Sequence, residues 1–306
     1  MHTSARTQRL ANMRALHISD THGYAAGTSD AMALAASMGA PVIHTGDMVP
    51  DYHQQSIGYL DMGKILPVIG NHDAINESGT DPSGYNWHDK PSQSALRKKF
   101  FDPFPAQGLT FPDSNATWWH KDMEGCRVVG LDITALGTDL ANEVKWLGSV
   151  LNTMPTLVLA HIAPHNLAYS ADGFTNAAYF ANASWYDPDV TQIYPGVAQL
   201  SDAVFRHAEL TGAPTAMLCG HEHADGAIVH RGVPVITVGS VIQDTYNNVY
   251  RSQDADTSRL VANLVTFDAT GLTVQRLGAD SRPTGRRAKM WAYSYAESRV
   301  TAIMSR

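Results

Sequence analysis

The chain has 306 residues, of which 44% are hydrophobic, and a formal net charge of −7 with histidine neutral. That composition supports a sizeable core and excludes disorder as the default, while the acidic balance without a long basic run argues against a dedicated nucleic-acid surface. Met1 to Arg14 carries three arginines but no apolar stretch of signal-peptide length, and no apolar run is long enough to span a bilayer.

Taken in chain order, Ala15–Ile18 reads as a strand ending in a polar turn. Ser29–Met38 is Ala-rich, has Asp30 in its opening turn and Gly39 after its end, and so predicts a helix. Pro41–His44 predicts a second strand, Ile57–Met62 a weaker helix, and Lys64–Ile69 a third strand despite its proline. Such alternation implies βαβ units with mainly parallel strands. Between Asp73 and Gly125 the pattern loosens around one predicted helix at Ser92–Phe101. A strand at Val128–Asp132 and a helix at Asp139–Leu151 follow, the latter with Val144, Leu147 and Leu151 at helical spacing. Thr156–Ala160 is a buried strand.

Ala163 to Pro195 shows no period and reads as a substrate-facing insertion. The last third is strand-rich: Thr215–Cys219, Ala227–His230, Val233–Val238, Leu260–Phe267 and Leu272–Leu277, with Asp268–Gly271 as a hairpin turn. The expected organisation is one domain over 1–306, with insertions near 73–125 and 163–195 and a C-terminal tail over 282–306. Cys126 and Cys219 both lie in apolar runs and read as buried thiols rather than a disulfide, which fits a cytoplasmic compartment.

Five polar clusters each follow an apolar, strand-like run: Asp20-Thr-His22, Gly46-Asp47, Gly70-Asn-His-Asp73, His161 and Gly220-His-Glu-His223. Ligands collect at the carboxyl ends of strands in open α/β sheets, so the clusters are expected to converge on one edge. Imidazole and carboxylate together suit manganese, zinc, iron or nickel, whereas an all-oxygen set would suit magnesium or calcium. More donors are present than one tetrahedral ion needs, so two divalent ions are the expected cofactors. Singly, each cluster is weak, and Gly70-Asn71 alone could be a plain turn. Together and in order, they carry the reading.

These five blocks resemble, in type and order, the signature of the calcineurin-like metallophosphoesterase superfamily. The resemblance covers roughly residues 15 to 225. It implies an α/β fold built as a four-layer αββα sandwich of two mixed sheets flanked by helices, where periodicity alone suggests a simple doubly wound sheet. It further implies that Asp20, His22 and His223 hold one metal, that Asn71, His161 and His221 hold the other, and that Asp47 bridges. His72 would face the substrate, stabilise charge on the phosphoryl oxygens and protonate the leaving group, after in-line attack by a hydroxide made available near neutral pH. Asp73 either orients His72 by a hydrogen bond or caps the loop. His165 is a further candidate at the mouth of the site, and Asn71 and His72 are the other candidate substrate contacts.

The expected activity is hydrolysis of a small phosphodiester or phosphomonoester, the diester favoured. The alternatives are a nuclease, which the acidic charge disfavours, and a noncatalytic scaffold, which the complete ligand set disfavours. Gly46-Asp-Met-Val-Pro-Asp51 lacks the arginine that Ser/Thr protein phosphatases place after this aspartate, and the presence of His22 departs from the purple acid phosphatases. His17 and His44, inside strands, read as packing residues. Tyr85, Trp87, Tyr169, Phe174, Tyr179 and Trp185 on the inserted stretches are candidates to stack on an aromatic leaving group or a base. The expected partner is a small phosphoester, with no membrane association; the oligomeric state is left open.

Overall fold

The computed structural model describes residues 12–23, 25–49, 60–74, 91–104, 107–123, 125–164, 194–223, 225–240, 260–278 and 288–305. The first half alternates as the sequence predicts: β1 (Met13–Ile18), α1 (Ala25–Met38), β2 (Val42–His44), a 3-10 turn at Met62–Lys64 and β3 (Ile65–Pro67). α2 (Gln93–Phe100) is started by Ser92, whose hydroxyl accepts the Ala95 amide at 3.2 Å. Next come β4 (Trp119–Met123), β5 (Cys126–Gly130), α3 (Gly137–Val150), β6 (Thr156–Ile162) and α4 (Pro195–Thr211). The strand-rich remainder is β7 (Thr215–Gly220), β8 (Gly226–His230), β9 (Val233–Thr237), β10 (Val261–Phe267), β11 (Gly271–Gly278), β12 (Ala288–Ser294) and β13 (Arg299–Ser305).

The strands form two mixed sheets. One has the order β13-β12-β11-β10-β1-β2-β3, with β1, β2 and β3 parallel; the other runs β4-β5-β6-β7-β9-β8, with β5, β6, β7 and β9 parallel. Side-chain alternation explains why they stack. In β6, Leu157 and Leu159 join the apolar layer shared with the seven-stranded sheet, while Val158 and Ala160 face the cluster built by α3 and α4. The β7 residues Ala216 and Leu218, against Met217 and Cys219, divide the same way. A strand buried on both faces must read as a continuous apolar run, which is how both appear in the sequence. α1 covers β1 and β10 on the far side of the other sheet. The architecture is therefore the four-layer αββα sandwich, not a single doubly wound sheet.

Pro67 is tolerated because β3 is the edge of its sheet, where a missing backbone donor breaks no central ladder. The helix expected over Ile57–Met62 does not extend to Leu60 and Asp61, and only the 3-10 turn follows; 57–59 lie outside the described residues. Two elements depart more from expectation. β4 lies within the stretch read as an insertion, yet it pairs antiparallel with β5; the burial of Trp118 and Trp119 is what adjacent core or strand aromatics predict. The stretch read as a C-terminal tail contributes a hairpin, β12–β13, that extends the first sheet. α4 was not foreseen, although Pro195 in its first turn, Gly212 closing it at φ 66°, and buried Val197, Leu200, Val204 and Phe205 are ordinary helix signals.

Cys126 and Cys219 are both buried and form no disulfide. Among the described residues no helix is long and apolar enough to cross a membrane.

Candidate metal centre

All five polar clusters lie at carboxyl ends of parallel strands, and the two sheets turn those ends toward each other. β1, β2 and β3 lead into Asp20 and His22, Asp47, and Asn71 and His72; β6 and β7 lead into His161, and into His221 and His223. Each half of the centre is thus shared between sheets. Asp20 and His22 from one sheet meet His223 from the other, with His223 Nε2 3.4 Å from Asp20 Oδ1 and 3.3 Å from His22 Nε2. Asn71 Oδ1 lies 2.8 Å from His161 Nε2 and 2.9 Å from His221 Nδ1. Asp47 Oδ2 sits between the groups, 3.2 Å from His161 Nε2 and 3.7 Å from His22 Nε2.

One hydrogen bond shows what this cluster is built to hold. The Thr45 carbonyl lies 2.6 Å from His161 Nδ1, and a carbonyl can only accept, so Nδ1 carries the proton. In the neutral ring, Nε2 therefore points a lone pair at two further acceptors, Asn71 Oδ1 and Asp47 Oδ2. A positive charge between them relieves that arrangement. Without a metal a proton takes the place: burial alone would lower the His161 pKa, but the Asp47 carboxylate lifts it to about 9. Its neighbour His221 is pushed down to about 3 by burial and by His161. Burial likewise opposes ionisation of Asp20 and Asp47, yet the surrounding histidines hold both carboxyls below their ordinary values. Two groups of imidazole and carboxylate donors, buried or partly buried and with the ligand atoms of each group within 4.8 Å of one another, fit two divalent ions.

The backbone at this edge is strained and crowded. Among the described residues, seven non-glycine positions have positive φ, and five of them are candidate ligands: Asp20, His22, Asp47, His221 and His223. Such conformations cost of order 1–3 kcal/mol each and persist only where the surroundings impose them. Glycine makes the close approach possible. A Cβ at Gly70 would sit 2.1 Å from Asp47 Oδ1 and 2.2 Å from Asp47 N, and one at Gly220 would lie 1.8 Å from Ser19 Oγ. Gly46, Gly70 and Gly220 each stand where the loop of another block lies against the Cα.

His72 is partly exposed at 18%, with Nε2 3.9 Å from Asp47 Oδ2 and its ring edge-on to His22 at 4.9 Å. Its amide donates to Asp47 Oδ1 at 2.9 Å. The contacts of Asp73 are those of a loop cap. Its Oδ1 accepts from the Met48 and Val49 amides at 2.8 and 3.0 Å, and its Oδ2 from Gly70 at 2.9 Å, so it ties the loop after β2 to the loop after β3. His165 and the six aromatic residues named above lie outside the described residues.

His17 and His44 are fully buried, but they do more than fill space. His44 Nδ1 accepts from Gly46 N at 3.2 Å, so its Nε2 carries a proton and donates to Thr21 Oγ1 at 3.0 Å. His17 Nε2 lies 3.0 Å from Thr45 Oγ1. Burial holds both rings neutral, with pKa values lowered to about 3. These contacts knit the Asp20–His22 loop to the Gly46–Asp47 loop. Nothing in the sequence distinguishes such histidines from core packing.

The model of the calcineurin-like phosphoesterase family matches residues 13–225. The chain belongs to that family. With membership come metal-dependent phosphoester hydrolysis and a dinuclear metal centre. Two solved structures align over most of this calcineurin-like phosphoesterase. A dimetal phosphatase from Danio rerio has 14% identity and a TM-score of 0.56, with 87% of this chain and 96% of that one covered. PhoD has 13% identity and a TM-score of 0.58, with 95% and 72% covered. At such identities the likeness concerns the fold alone. No curated protein matches the chain by sequence.

Proposed function

We propose that this calcineurin-like phosphoesterase hydrolyses a small phosphodiester at a two-ion site held by Asp20, His22 and His223 on one side and Asn71, His161 and His221 on the other, with Asp47 between. The observation that carries the reading is the convergence on Asp47 of two donor groups whose lone pairs face one another. When bound, two divalent ions supply Lewis-acid charge and a nucleophilic water activated near neutral pH.

The chain's own residues do the rest. The Thr45 carbonyl fixes the ring of His161, and the amides of His221 and His72 fix the carboxylates of Asp20 and Asp47. His72, the partly exposed imidazole beside Asp47, donates a proton to the departing alkoxide, while Asn71 and His72 contact the phosphoryl oxygens.

The preference for a diester rests on charge. The arginine that would clamp a phosphate after Asp47 is missing from the sequence. A monoester dianion asks for more fixed positive charge than a diester monoanion. Hydrolysis of bis-p-nitrophenyl phosphate against p-nitrophenyl phosphate, after chelation and reloading with manganese, zinc, iron or nickel, tests the proposal. Metal-restored turnover of the diester in excess of the monoester is expected. Turnover of the monoester alone would assign a phosphomonoesterase instead.

A further inference from the structure

Because each half of the centre is shared between the two sheets, whatever fixes one sheet against the other at this edge also fixes the ligands. One such tie involves a buried ion pair. Arg276, on β11 of the seven-stranded sheet, donates from Nε to Asp225 Oδ2 at 2.8 Å, and the two side chains are only 7% and 3% exposed. Asp225 stands two residues beyond His223, between β7 and β8 of the six-stranded sheet. Its other oxygen accepts from Gly239 N at 3.1 Å. The next residue, Ser240, donates its hydroxyl to the Asp20 carbonyl at 2.7 Å and bridges the backbone of Ser19.

The path from Arg276 therefore reaches both Asp20 and His223, the members of the first ligand group that come from opposite sheets. Asn71 and His161 of the second group are held elsewhere, by the Thr45 carbonyl and by each other. Arg276 and Ser240 lie beyond the residues that the family model matches, and Asp225 is the last residue within it.

We propose that Asp225 and Arg276, with Ser240, form a positioning clasp for the ion held by Asp20, His22 and His223. A buried ion pair is a poor means of adding stability, since apolar residues of similar volume often serve as well or better. What the pair adds is direction. A carboxylate with one oxygen fixed on a guanidinium and the other on an amide cannot slide, and neither can the loop attached to it. Outer contacts of this kind typically change metal affinity by roughly 10- to 100-fold. The proposal rests on the metal assignment above.

The test is manganese titration of the chelated full-length protein, with bound ions counted and the coupled two-manganese signal followed by electron paramagnetic resonance. The Asp225→Asn/Arg276→Gln double variant removes both charges of the pair together, and Ser240→Ala removes only a hydroxyl. In both, one manganese should bind as in the wild type and the other roughly 10-fold or more weaker, with the coupled signal replaced by a mononuclear one. Folded variants that take both ions with wild-type affinity, or that lose both equally, would overturn the clasp. A wild type that binds fewer than two ions would overturn the metal assignment itself, and the clasp with it.

Discussion

Gly70 is the position where one added methyl group should do the most damage to the site. A Cβ there would lie 2.1 Å from Asp47 Oδ1, 2.2 Å from Asp47 N and 2.9 Å from Asp47 Cγ, where real Cβ atoms stay beyond 3.0 Å. Because one clashing atom is main chain, no rotamer change relieves the overlap; the loops carrying Asp47 and Asn71 must part by roughly 1 Å. Overpacking of this kind costs about 1–3 kcal/mol. A 1 Å misplacement of reacting groups costs on the order of 100-fold in rate. Gly70→Ala should therefore lower Tm by several degrees, cut kcat/KM about 100-fold or more, and reduce the bound metal below two ions per chain. Gly148→Ala is the control: that glycine lies within α3, and nothing stands within 4 Å of its Cβ position. It should gain about 0.5–1 kcal/mol in stability with unchanged turnover. A Gly70→Ala protein with full metal content and wild-type turnover would refute the close-approach argument.

Other substitutions probe separate parts of the account. Asp47→Asn keeps the acceptor for the His72 amide and the left-handed backbone, which asparagine tolerates, but removes the negative charge between the two donor groups. It should fold, fail to load two ions, and lose activity. Wild-type metal content and activity in that variant would remove Asp47 from the bridge. His72→Gln should keep both ions and slow an alkyl ester by on the order of 100-fold, while a p-nitrophenyl ester, whose leaving group needs no proton, should suffer far less. Equal losses on both esters would rule out proton donation by His72.

Glu143, fully buried on α3, takes the Asp132 amide on Oε1 at 2.8 Å. Burial and the Asp132 charge push its carboxyl well above the ordinary value of 4.5. Above that value the folded chain keeps a proton the unfolded chain releases, so stability falls as pH rises toward the raised folded pKa. Glu143→Gln should match the wild type in Tm near pH 4 and exceed it progressively at higher pH; parallel Tm profiles would contradict this.

Much of the site was legible in the sequence because it is built from short blocks at strand ends. An apolar run followed by Gly-Asp or Gly-Asn-His places its polar residues wherever the strand stops, and parallel strands stop on the same edge. The division into two sheets was not legible from periodicity, since β6 and β7, buried on both faces, read alike in either architecture. The path through Asp225 and Arg276 joins residues 51 positions apart, and no local pattern marks it. The positive φ angles at five candidate ligands depend on loops converging from different strands, so propensity cannot anticipate them. The stretch around β4 reads as loop because Gly, Pro and Asn dominate its flanks, although Trp119 lies flat against Gly130 of the neighbouring strand and donates its indole N–H to the Pro67 carbonyl at 2.9 Å. Only α4 was readable and missed: its apolar spacing, opening proline and closing glycine are all present in the sequence.

The central claim is that two ions, bridged by Asp47, are required for phosphoester hydrolysis. Its most direct test is stepwise reloading of the chelated protein, with bound metal and turnover of bis-p-nitrophenyl phosphate followed together. The account predicts that binding saturates at two ions per chain and that turnover rises with occupancy of the second. Saturation at one ion, or turnover that survives chelation, would contradict it.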